Sequence, residues 1–349
     1  MNKSRFVIGN KTFLVFMGMA LILALVGCSK QSAPAAEKGQ SEHSGLFPAQ
    51  KDGKWGYINS SGRFVIKPQF EWAREFSEGL AGVRVGNAGG YINTSGEFVI
   101  KPQFAATRDF SESLAAVQVG NLWGYVDRQG KMVIRPQFLW AWKFKEGFAR
   151  VRDYKTSKWS LIDKRGRFLL PPKFEVIGDF SLGLACVWDS ASGRWGYIDH
   201  RGEFAIPLQF ERALTFSESL AAVRIDKKWG YIDPQGRVVI EPQFENAWSF
   251  SDGLAPVFLN GKFGYIDKTG KMVIEPQFDE PGSFSDGLAP VRIDNKWGYI
   301  DTTGRMVIEL QFDYARSFEG GLGFVRMGDK EGYINKSGKF VFEWRKGQP

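Results

Sequence analysis

The stretch FSDGLAPVRIDNKWGYIDTTGRMVIELQF, residues 284–312, decides the fold. Short runs of β-branched and aromatic residues at 288–293 and 297–300 predict two strands joined by a tight turn. The segment DTTG at 301–304 predicts a hairpin, because Asp can bond backbone amides and Gly tolerates a positive φ. A third strand follows at 305–309. The unit is therefore predicted to be a three-stranded antiparallel meander.

The same unit recurs nine times, and the interval between copies is 34 or 36 residues. A unit of this size cannot bury enough apolar surface alone, so adjacent copies are predicted to cover one another. The copies begin near residues 46, 76, 110, 144, 180, 216, 250, 284 and 318. The Trp-Gly-Tyr-Ile motif, or its equivalent, starts at Trp55, Gly89, Trp123, Trp159, Trp195, Trp229, Phe263, Trp297 and Glu331.

Four kinds of apolar position recur and are predicted to form the core. Three are a valine in the first strand, the phenylalanine of the FS(E/D)G segment and the phenylalanine of the PQF segment. The fourth is the motif tryptophan, which is interpreted as a structural part of the repeat. Its six occurrences are Trp55, Trp123, Trp159, Trp195, Trp229 and Trp297.

The fold class is predicted to be all-β, a tandem array of nine three-stranded meanders. Residues 46–51 already match a first strand and residues 340–342 complete a third one, so no strand is left over for a blade shared by both termini. This favours an open or incompletely closed β-superhelix. A closed, propeller-like toroid is the alternative.

Composition excludes several classes of site. The chain has 349 residues but only 2 His and 2 Cys, which argues against a His-rich metal site, a zinc ribbon or a disulfide scaffold. The net charge of +8 is weak evidence for nucleic acid. The acids recur with the turns, so each has a turn role. We expect no cofactor, no metal, no nucleic acid and no enzymatic activity, although a converging pair of acids for glycan hydrolysis stays open.

The amino terminus has the features of a secretory signal over residues 1–27. Lys3, Arg5 and Lys11 precede an uncharged apolar run that is too short to cross a membrane comfortably. The sequence Leu25-Val26-Gly27-Cys28 resembles a bacterial lipobox, which implies that Cys28 becomes an acylated (palmitate-bearing) first residue. Residues 28–44 would then be a flexible tether, and 45–349 the repeat domain.

This resemblance implies a lipid-anchored protein of the cell envelope. The lipid on Cys28 would hold the chain on a membrane. The location would be the outer membrane in a Gram-negative cell and the outer face of the plasma membrane in a Gram-positive cell.

The repeat itself resembles the WG-repeat family, also called KWG repeats. The resemblance covers about residues 46–344 and rests on WGYI(D/N)xxG(K/R)xVI, then PQF, then FS(E/D)GLA in fixed order. Copies two, four, seven and nine depart from it at Gly89, Ser160, Phe263 and Glu331. The family implies bacterial repeat proteins, usually without an assigned activity.

The segment after PQF, here called the linker, varies most between copies. Aromatic side chains there are not demanded by the repeat and could anchor a partner or stack on sugar rings. The candidate binding residues are Trp72, Trp140, Trp142, Trp248 and Tyr314. We therefore expect a non-catalytic membrane-anchored protein that binds or scaffolds a macromolecular partner, an envelope protein or a glycan. The alternative is a polysaccharide- or peptidoglycan-binding module, and the least favoured function is a glycan hydrolase.

Charged residues also recur. A basic residue precedes most motif tryptophans, as Lys54 and Lys296 do, and is expected to form a basic rim. Another follows the hairpin glycine, as Arg305 does, and is expected to lie at the same end of the strands as the acid of the FS(E/D)G turn, such as Asp286, with which it could pair.

Overall fold

The computed structural model describes residues 45–345, and this part of the chain consists of strands and turns without a helix. The predicted signal at 1–27, the tether at 28–44 and the acylation site Cys28 lie outside the described residues. Within 45–345, no helix is long and apolar enough to span a membrane. The strands form eight antiparallel sheets, which the strand pairing below defines.

The first three sheets hold the first four copies. Sheet one contains β1 (Leu46–Lys51), β2 (Lys54–Asn59) and β3 (Phe64–Phe70). Sheet two contains β4 (Trp72–Ala73), β5 (Leu80–Val85), β6 (Ala88–Asn93) and β7 (Phe98–Phe104). Sheet three has six strands, β8 (Ala106–Thr107), β9 (Leu114–Val119), β10 (Leu122–Asp127), β11 (Met132–Lys145), β12 (Phe148–Asp153) and β13 (Trp159–Asp163).

The last five sheets have four strands each. They are β14 (Val176–Ile177), β15 (Ala185–Asp189), β16 (Arg194–Ile198) and β17 (Phe204–Phe210); β18 (Arg212–Ala213), β19 (Ala221–Ile225), β20 (Lys228–Ile232) and β21 (Val238–Phe244); β22 (Asn246–Ala247), β23 (Ala255–Leu259), β24 (Lys262–Ile266) and β25 (Met272–Phe278); β26 (Glu280–Pro281), β27 (Leu288–Ile293), β28 (Lys296–Asp301) and β29 (Met306–Phe312); and β30 (Tyr314–Ala315), β31 (Gly323–Met327), β32 (Lys330–Ile334) and β33 (Phe340–Arg345).

The typical sheet therefore has four strands rather than the predicted three, because the linker also forms a strand. In sheet two, Trp72 and Ala73 of the linker pair with Arg84 and Val83 of the next strand. Copies three and four share one sheet, since β11 runs without a break from the third strand of copy three through the linker of copy four. The nine copies thus give eight sheets.

The glycine of the tryptophan-glycine motif is required by a close approach of the third strand. A Cβ on Gly56 would lie 2.4 Å from the Ile66 carbonyl oxygen and 2.7 Å from the Pro68 nitrogen. A bulge interrupts the pairing of β2 and β3 at this point, and the proline, which has no N–H, lies within β3.

Copy four shows what happens when that glycine is absent. Ser160 takes its place, and its hydroxyl donates a 2.6 Å hydrogen bond to the Leu170 carbonyl. The third strand is reduced to two isolated bridges, Trp159 with Phe174 and Ile162 with Phe168. Copy four therefore differs from the regular copies both at Ser160 and in the pairing of its third strand.

Adjacent copies pack through one recurring set of contacts. Tyr57 and Ile66 of copy one share a buried cluster with Phe76 and Val83 of copy two, and each later pair of neighbours repeats it. The predicted core valines are buried. They are Val83, Val117, Val151, Val187, Val223, Val257, Val291 and Val325.

The last copy packs on the first in the same manner, so the ring is closed. Phe47 and Ile58 share a buried cluster with Leu322 and Tyr333. Gly62 of the first hairpin lies against Val341, as the hairpin glycines of later copies lie against the preceding copy. The prediction of an open superhelix was wrong and the propeller-like alternative fits: the eight sheets are arranged like the blades of a β-propeller. Closure does not need a shared blade, since side-chain packing between complete terminal copies achieves it.

Charged side chains pair differently from the expectation. The carboxylate of Glu78 accepts hydrogen bonds from the Glu112 and Ser113 amides of the next copy, and Arg128 donates to the Glu78 carbonyl at 2.7 Å. The base after the hairpin glycine instead binds within its own turn, as Arg305 binds Asp301 at 3.1 Å. Four lysines of the expected basic rim form ion pairs with linker acids: Lys54–Glu71, Lys158–Glu175, Lys262–Asp279 and Lys296–Asp313.

Candidate functional site

The first copy differs from the others at the strand that would carry its linker. In each later copy a linker strand, or the linker part of β11, pairs with the first strand of that copy. Within the described residues β1 has no such neighbour, so β2 is its only strand partner. Within residues 45–345, the side of β1 that would face a linker strand therefore has no paired strand. This side lies beside the junction of copies nine and one, here called the seam.

Two side-chain changes close the ring without that linker. In the regular copies the motif tyrosine donates to a linker carbonyl, as Tyr57 does to Arg74 at 2.7 Å, and its ring contacts the linker phenylalanine, here Phe76. Tyr333 instead donates to the Pro48 carbonyl at 3.1 Å. Its ring lies 5.5 Å from that of Phe47, which occupies the position that Ala81 holds in copy two.

A cavity of about 740 Å³ remains where the rest of the linker would lie. It is called the seam cavity. Aromatic side chains and charges of both signs line it. The lining residues are Pro48, Trp55, Trp72, Ala73, Arg74, Glu75, Asp109, Tyr314, Arg316, Phe324, Arg326, Glu331, Tyr333 and Trp344.

The arginines of the seam cavity are held by neighbours. Arg74 donates from Nε to the Thr107 carbonyl at 3.1 Å, and its guanidinium lies 4.7 Å from the Trp72 ring. Arg316 donates to the Tyr314 hydroxyl at 3.3 Å. Burial lowers the pKa of Arg316, but this hydrogen bond and the nearby Glu75 carboxylate outweigh burial and raise it. Arg74 and Arg316, two of the three arginines that line the cavity, are therefore held in place by neighbouring groups.

The indole nitrogen of Trp344 is buried in the same region, and no group within residues 45–345 accepts a hydrogen bond from it. Trp344 pairs across the sheet with Glu331, the residue that replaces the motif tryptophan in copy nine. A buried N–H without a partner is uncommon in folded proteins. Three arginine Nε atoms, of Arg108, Arg224 and Arg292, are likewise buried without a hydrogen-bond partner elsewhere in residues 45–345.

The candidate binding residues fall into three places. Trp72 and Tyr314 both line the seam cavity. Trp140 and Trp142 clamp Arg108, whose guanidinium lies 4.9 and 4.4 Å from their rings. Burial, followed by repulsion from Arg74, lowers the pKa of Arg108.

Trp248 lies apart from these, with its ring 5.8 Å from that of Phe263 in the same copy. The motif tryptophans show different degrees of burial. Trp123 and Trp195 are buried, while Trp55, Trp159, Trp229 and Trp297 are half-buried. Trp55 also lines the seam cavity. The sequence predicted only a structural role for this residue and did not predict this position.

The arginines of the seam cavity and Trp344 were missed from the sequence. A signal was present: strand β1 follows the polar tether directly, so copy one has no apolar linker of the EWAREFSEG type seen at 71–79. The lack of an apolar linker before copy one indicated where the repeat is irregular, whereas the additional aromatic residues did not.

Groups that could support catalysis or metal binding are dispersed. Nowhere between residues 45 and 345 do three or more His, Cys, Asp or Glu side chains gather closely enough to hold a metal ion. His200 contacts Glu146 at 3.3 Å and packs beside the rings of Phe148 and Phe180, a structural setting. Cys186 is buried, which raises the pKa of its thiol.

Comparison with solved structures identifies similar folds. A crystal structure described as that of the eukaryotic initiation factor is 12% identical, covers 87% of this chain and 96% of its own, and has a TM-score of 0.60. The dihydro-heme d1 dehydrogenase NirN in complex with DHE is 11% identical over 90% of this chain and 75% of its own, with a TM-score of 0.51. At these identities the likeness concerns the fold alone.

No curated protein matches the chain. The family model described as "WG containing repeat" matches eight times, and together the matches cover more than half of the chain. They lie at residues 55–87, 90–123, 123–155, 159–187, 195–229, 229–263, 263–297 and 297–330. The chain therefore belongs to the family of proteins built from the WG containing repeat.

Proposed function

We propose that the chain is a non-catalytic, lipid-anchored protein of the bacterial cell envelope, and that its seam cavity binds an extended segment of a protein partner. The anchoring part of the proposal rests on the lipobox-like sequence before Cys28 and the polar tether after it. The binding part rests on the seam. The repeat ring serves as a rigid frame for one irregular site.

The edge of β1 that no linker strand pairs with in residues 45–345 lies beside the seam cavity, and it is the observation that carries the proposal. An extended polypeptide can add to an exposed sheet edge through main-chain hydrogen bonds, and side-chain pockets then give specificity. The cavity volume of about 740 Å³ lies within the range of about 300–1,000 Å³ that is usual for ligand pockets. Its aromatic rings suit apolar side chains, and Arg74, Arg316 and Glu331 suit polar groups of both signs.

A glycan ligand is the second candidate. Trp72 and Tyr314 expose 39% and 37% of their surface, and both line the seam cavity. Exposed aromatic faces are suitable platforms for sugar rings, and the predicted envelope location would bring peptidoglycan or surface polysaccharide near. The open strand edge favours the polypeptide.

Site-specific photo-crosslinking in intact cells tests the binding proposal. A benzophenone amino acid is placed at Trp72, at Tyr314 and, as a control, at the exposed Val239 on β21. We expect one discrete product from both cavity positions and none from Val239. Protease should destroy a polypeptide adduct, whereas muramidase should release a glycan adduct. Absence of a product at both cavity positions, or the same product at Val239, would contradict the proposal.

The anchor is tested separately. Cys28→Ala should move the full-length protein from the membrane fraction to a soluble fraction, because a thioether-linked lipid can no longer form. The mass of the wild-type protein should exceed that of the chain beginning at residue 28 by the mass of its lipid. Unchanged membrane association of Cys28→Ala would contradict anchoring at this residue.

A further inference from the structure

A second cavity of about 630 Å³ adjoins the seam cavity, and Trp72 and Arg74 line both. It lies at Gly89 in β6, where copy two lacks the motif tryptophan. Its lining is largely apolar. The remaining lining residues are Glu71, Val83, Arg84, Gly86, Gly89, Ala105, Ala106 and Thr107.

At two other junctions the corresponding space holds a pair of rings. Trp123 lies 5.9 Å from Trp140, the second linker residue of the next copy, and Trp297 lies 6.5 Å from Tyr314. At the junctions that follow copies four to seven, the second linker residue is not aromatic. In copy two the corresponding pair is Gly89 and Ala106. At this junction both aromatic residues of the pair are therefore replaced by small residues.

Copy nine also lacks the tryptophan, but there the loss is compensated. Glu331 pairs with Trp344, which supplies an indole where copy two has only Phe104 opposite Gly89. Thr107 occupies the space directly beside Gly89, since a Cβ added there would lie 2.9 Å from its methyl carbon. A cavity of about 630 Å³ nevertheless remains beside Gly89 and Thr107 in copy two.

The walls of the second cavity suit an aromatic ring. Trp72 offers an exposed indole on one side, and the guanidinium of Arg74 lies 4.7 Å from it. Arg84 and Val83, on β5, line the same cavity. An added ring could stack against the indole or a guanidinium while its edge contacts Thr107 and Ala106.

We propose that this second cavity, called the indole slot, receives a tryptophan side chain of the partner polypeptide. The choice of a polypeptide source rests on the proposed function. The choice of ring rests on the other copies, which show that an indole fits this position of the repeat. Since Trp72 and Arg74 separate the two cavities, a segment lying in the seam cavity could place one side chain in the slot.

The test uses N-acetyl-tryptophanamide as the probe and the Nε1–H signal of Trp72, assigned with Trp72→Phe, as the readout in nuclear magnetic resonance. We expect a saturable shift with N-acetyl-tryptophanamide and at least tenfold weaker binding of N-acetyl-leucinamide. Equal binding of the two probes, or a shift that does not saturate, would overturn the proposal.

The double variant Gly89→Trp/Thr107→Ala restores the tryptophan-alanine combination of copies one and three. It should fill the slot, keep or raise the unfolding temperature, and weaken probe binding at least tenfold. Ala106→Trp fills the slot from the linker, as Trp140 does in copy four, and keeps the test valid if the double variant does not fold. Undiminished probe binding in a folded variant would overturn the proposal.

Crosslinking at Tyr314 separates this inference from the proposed function. Filling the slot should reduce the crosslinked product there at least tenfold if the partner inserts a ring. An undiminished product, with probe binding lost, would overturn the slot as a partner contact but leave the seam cavity as the binding site. If the wild type binds the probe but gives no product, the proposed function fails and the slot holds a free aromatic molecule instead.

Discussion

The hydroxyl of Tyr333 donates a hydrogen bond to the carbonyl oxygen of Pro48 at 3.1 Å, and so joins two residues that are 285 positions apart. In copy six the same tyrosine position, Tyr231, donates to Trp248 in the linker of the next copy at 2.8 Å. The seam thus keeps the donor of the repeat but changes its acceptor from a linker carbonyl to one in the first strand. The ring closes although the linker strand of copy one is absent from the described residues.

The first prediction concerns this hydrogen bond. Tyr231→Phe should lower the free energy of unfolding by about 1 kcal/mol, because the hydrogen bond from the buried tyrosine to the Trp248 carbonyl is lost. Tyr333→Phe should have an effect of the same sign if the ring is closed in solution. Urea unfolding measures both, with the exposed Tyr154→Phe as the control. A change for Tyr231→Phe but none for Tyr333→Phe would contradict closure through this bond.

The second prediction concerns alkaline pH. Burial raises the pKa of the motif tyrosines far above their usual value of 10. The folded protein therefore holds these protons more tightly than the unfolded chain does. Stability from this source is complete below pH 10 and is lost as pH rises above it. Urea midpoints should fall steeply above pH 10, and less steeply in Tyr231→Phe. Equal slopes for both proteins would count against this explanation.

The third prediction concerns acid. A hydrogen bond from the Thr303 hydroxyl, followed by backbone amides and Arg305, lowers the pKa of Asp301 from 3.8 to about 2, and the corresponding bond from Thr269 lowers that of Asp267. A lowered pKa stabilises the fold above pH 3.8, and this stability is lost as pH falls toward 2.

Asparagine is the matched replacement for these aspartates. Asn59 makes the same turn in copy one, where its side-chain oxygen accepts from the Ser61 and Arg63 amides. The variant Asp267→Asn/Asp301→Asn should therefore lose less stability between pH 4 and pH 2 than the wild type. Urea midpoints over that range provide the measurement, and parallel pH profiles would refute the assignment.

The repeat unit was predictable because its determinants are local. Turn residues such as Asp301 and Gly304 and the alternating apolar positions define each hairpin, and the buried valines confirm the core. Ring closure was not predictable, since the curvature of the array depends on packing between copies. The contact of Gly62 with Val341 results from the curvature added up over all the copies, so the sequence around either residue does not reveal it.

The binding residues Trp72 and Tyr314 were proposed because they vary against a fixed frame, and the seam cavity brings the two together. Their proximity could not be inferred from the sequence, because they come close only when copy nine packs against copy one. The same limit applies to Arg316 and Trp344. The role of Phe47 could be seen only in the structure. Although Phe47 stands at the strand position of Ala81, its ring contacts the motif tyrosine Tyr333, as the ring of a linker phenylalanine does in other copies.

The most direct test of the open seam uses Phe47→Ala, which restores the alanine seen at Ala81 in copy two. This variant should lose about 3–5 kcal/mol of unfolding free energy, because a buried ring is removed. A synthetic peptide with the linker sequence ENAWSFSDG of residues 245–253 should then raise its unfolding temperature in a concentration-dependent manner, since the peptide phenylalanine can enter the vacated space.

The decisive measurement is the unfolding temperature of Phe47→Ala with increasing peptide, compared with a peptide whose phenylalanine is replaced by alanine. The predicted result is a rise with the first peptide, little or no rise with the second, and a smaller rise for the wild type, whose Phe47 occupies the space. No rise with either peptide, or equal rises with both, would contradict a seam that accepts an added strand.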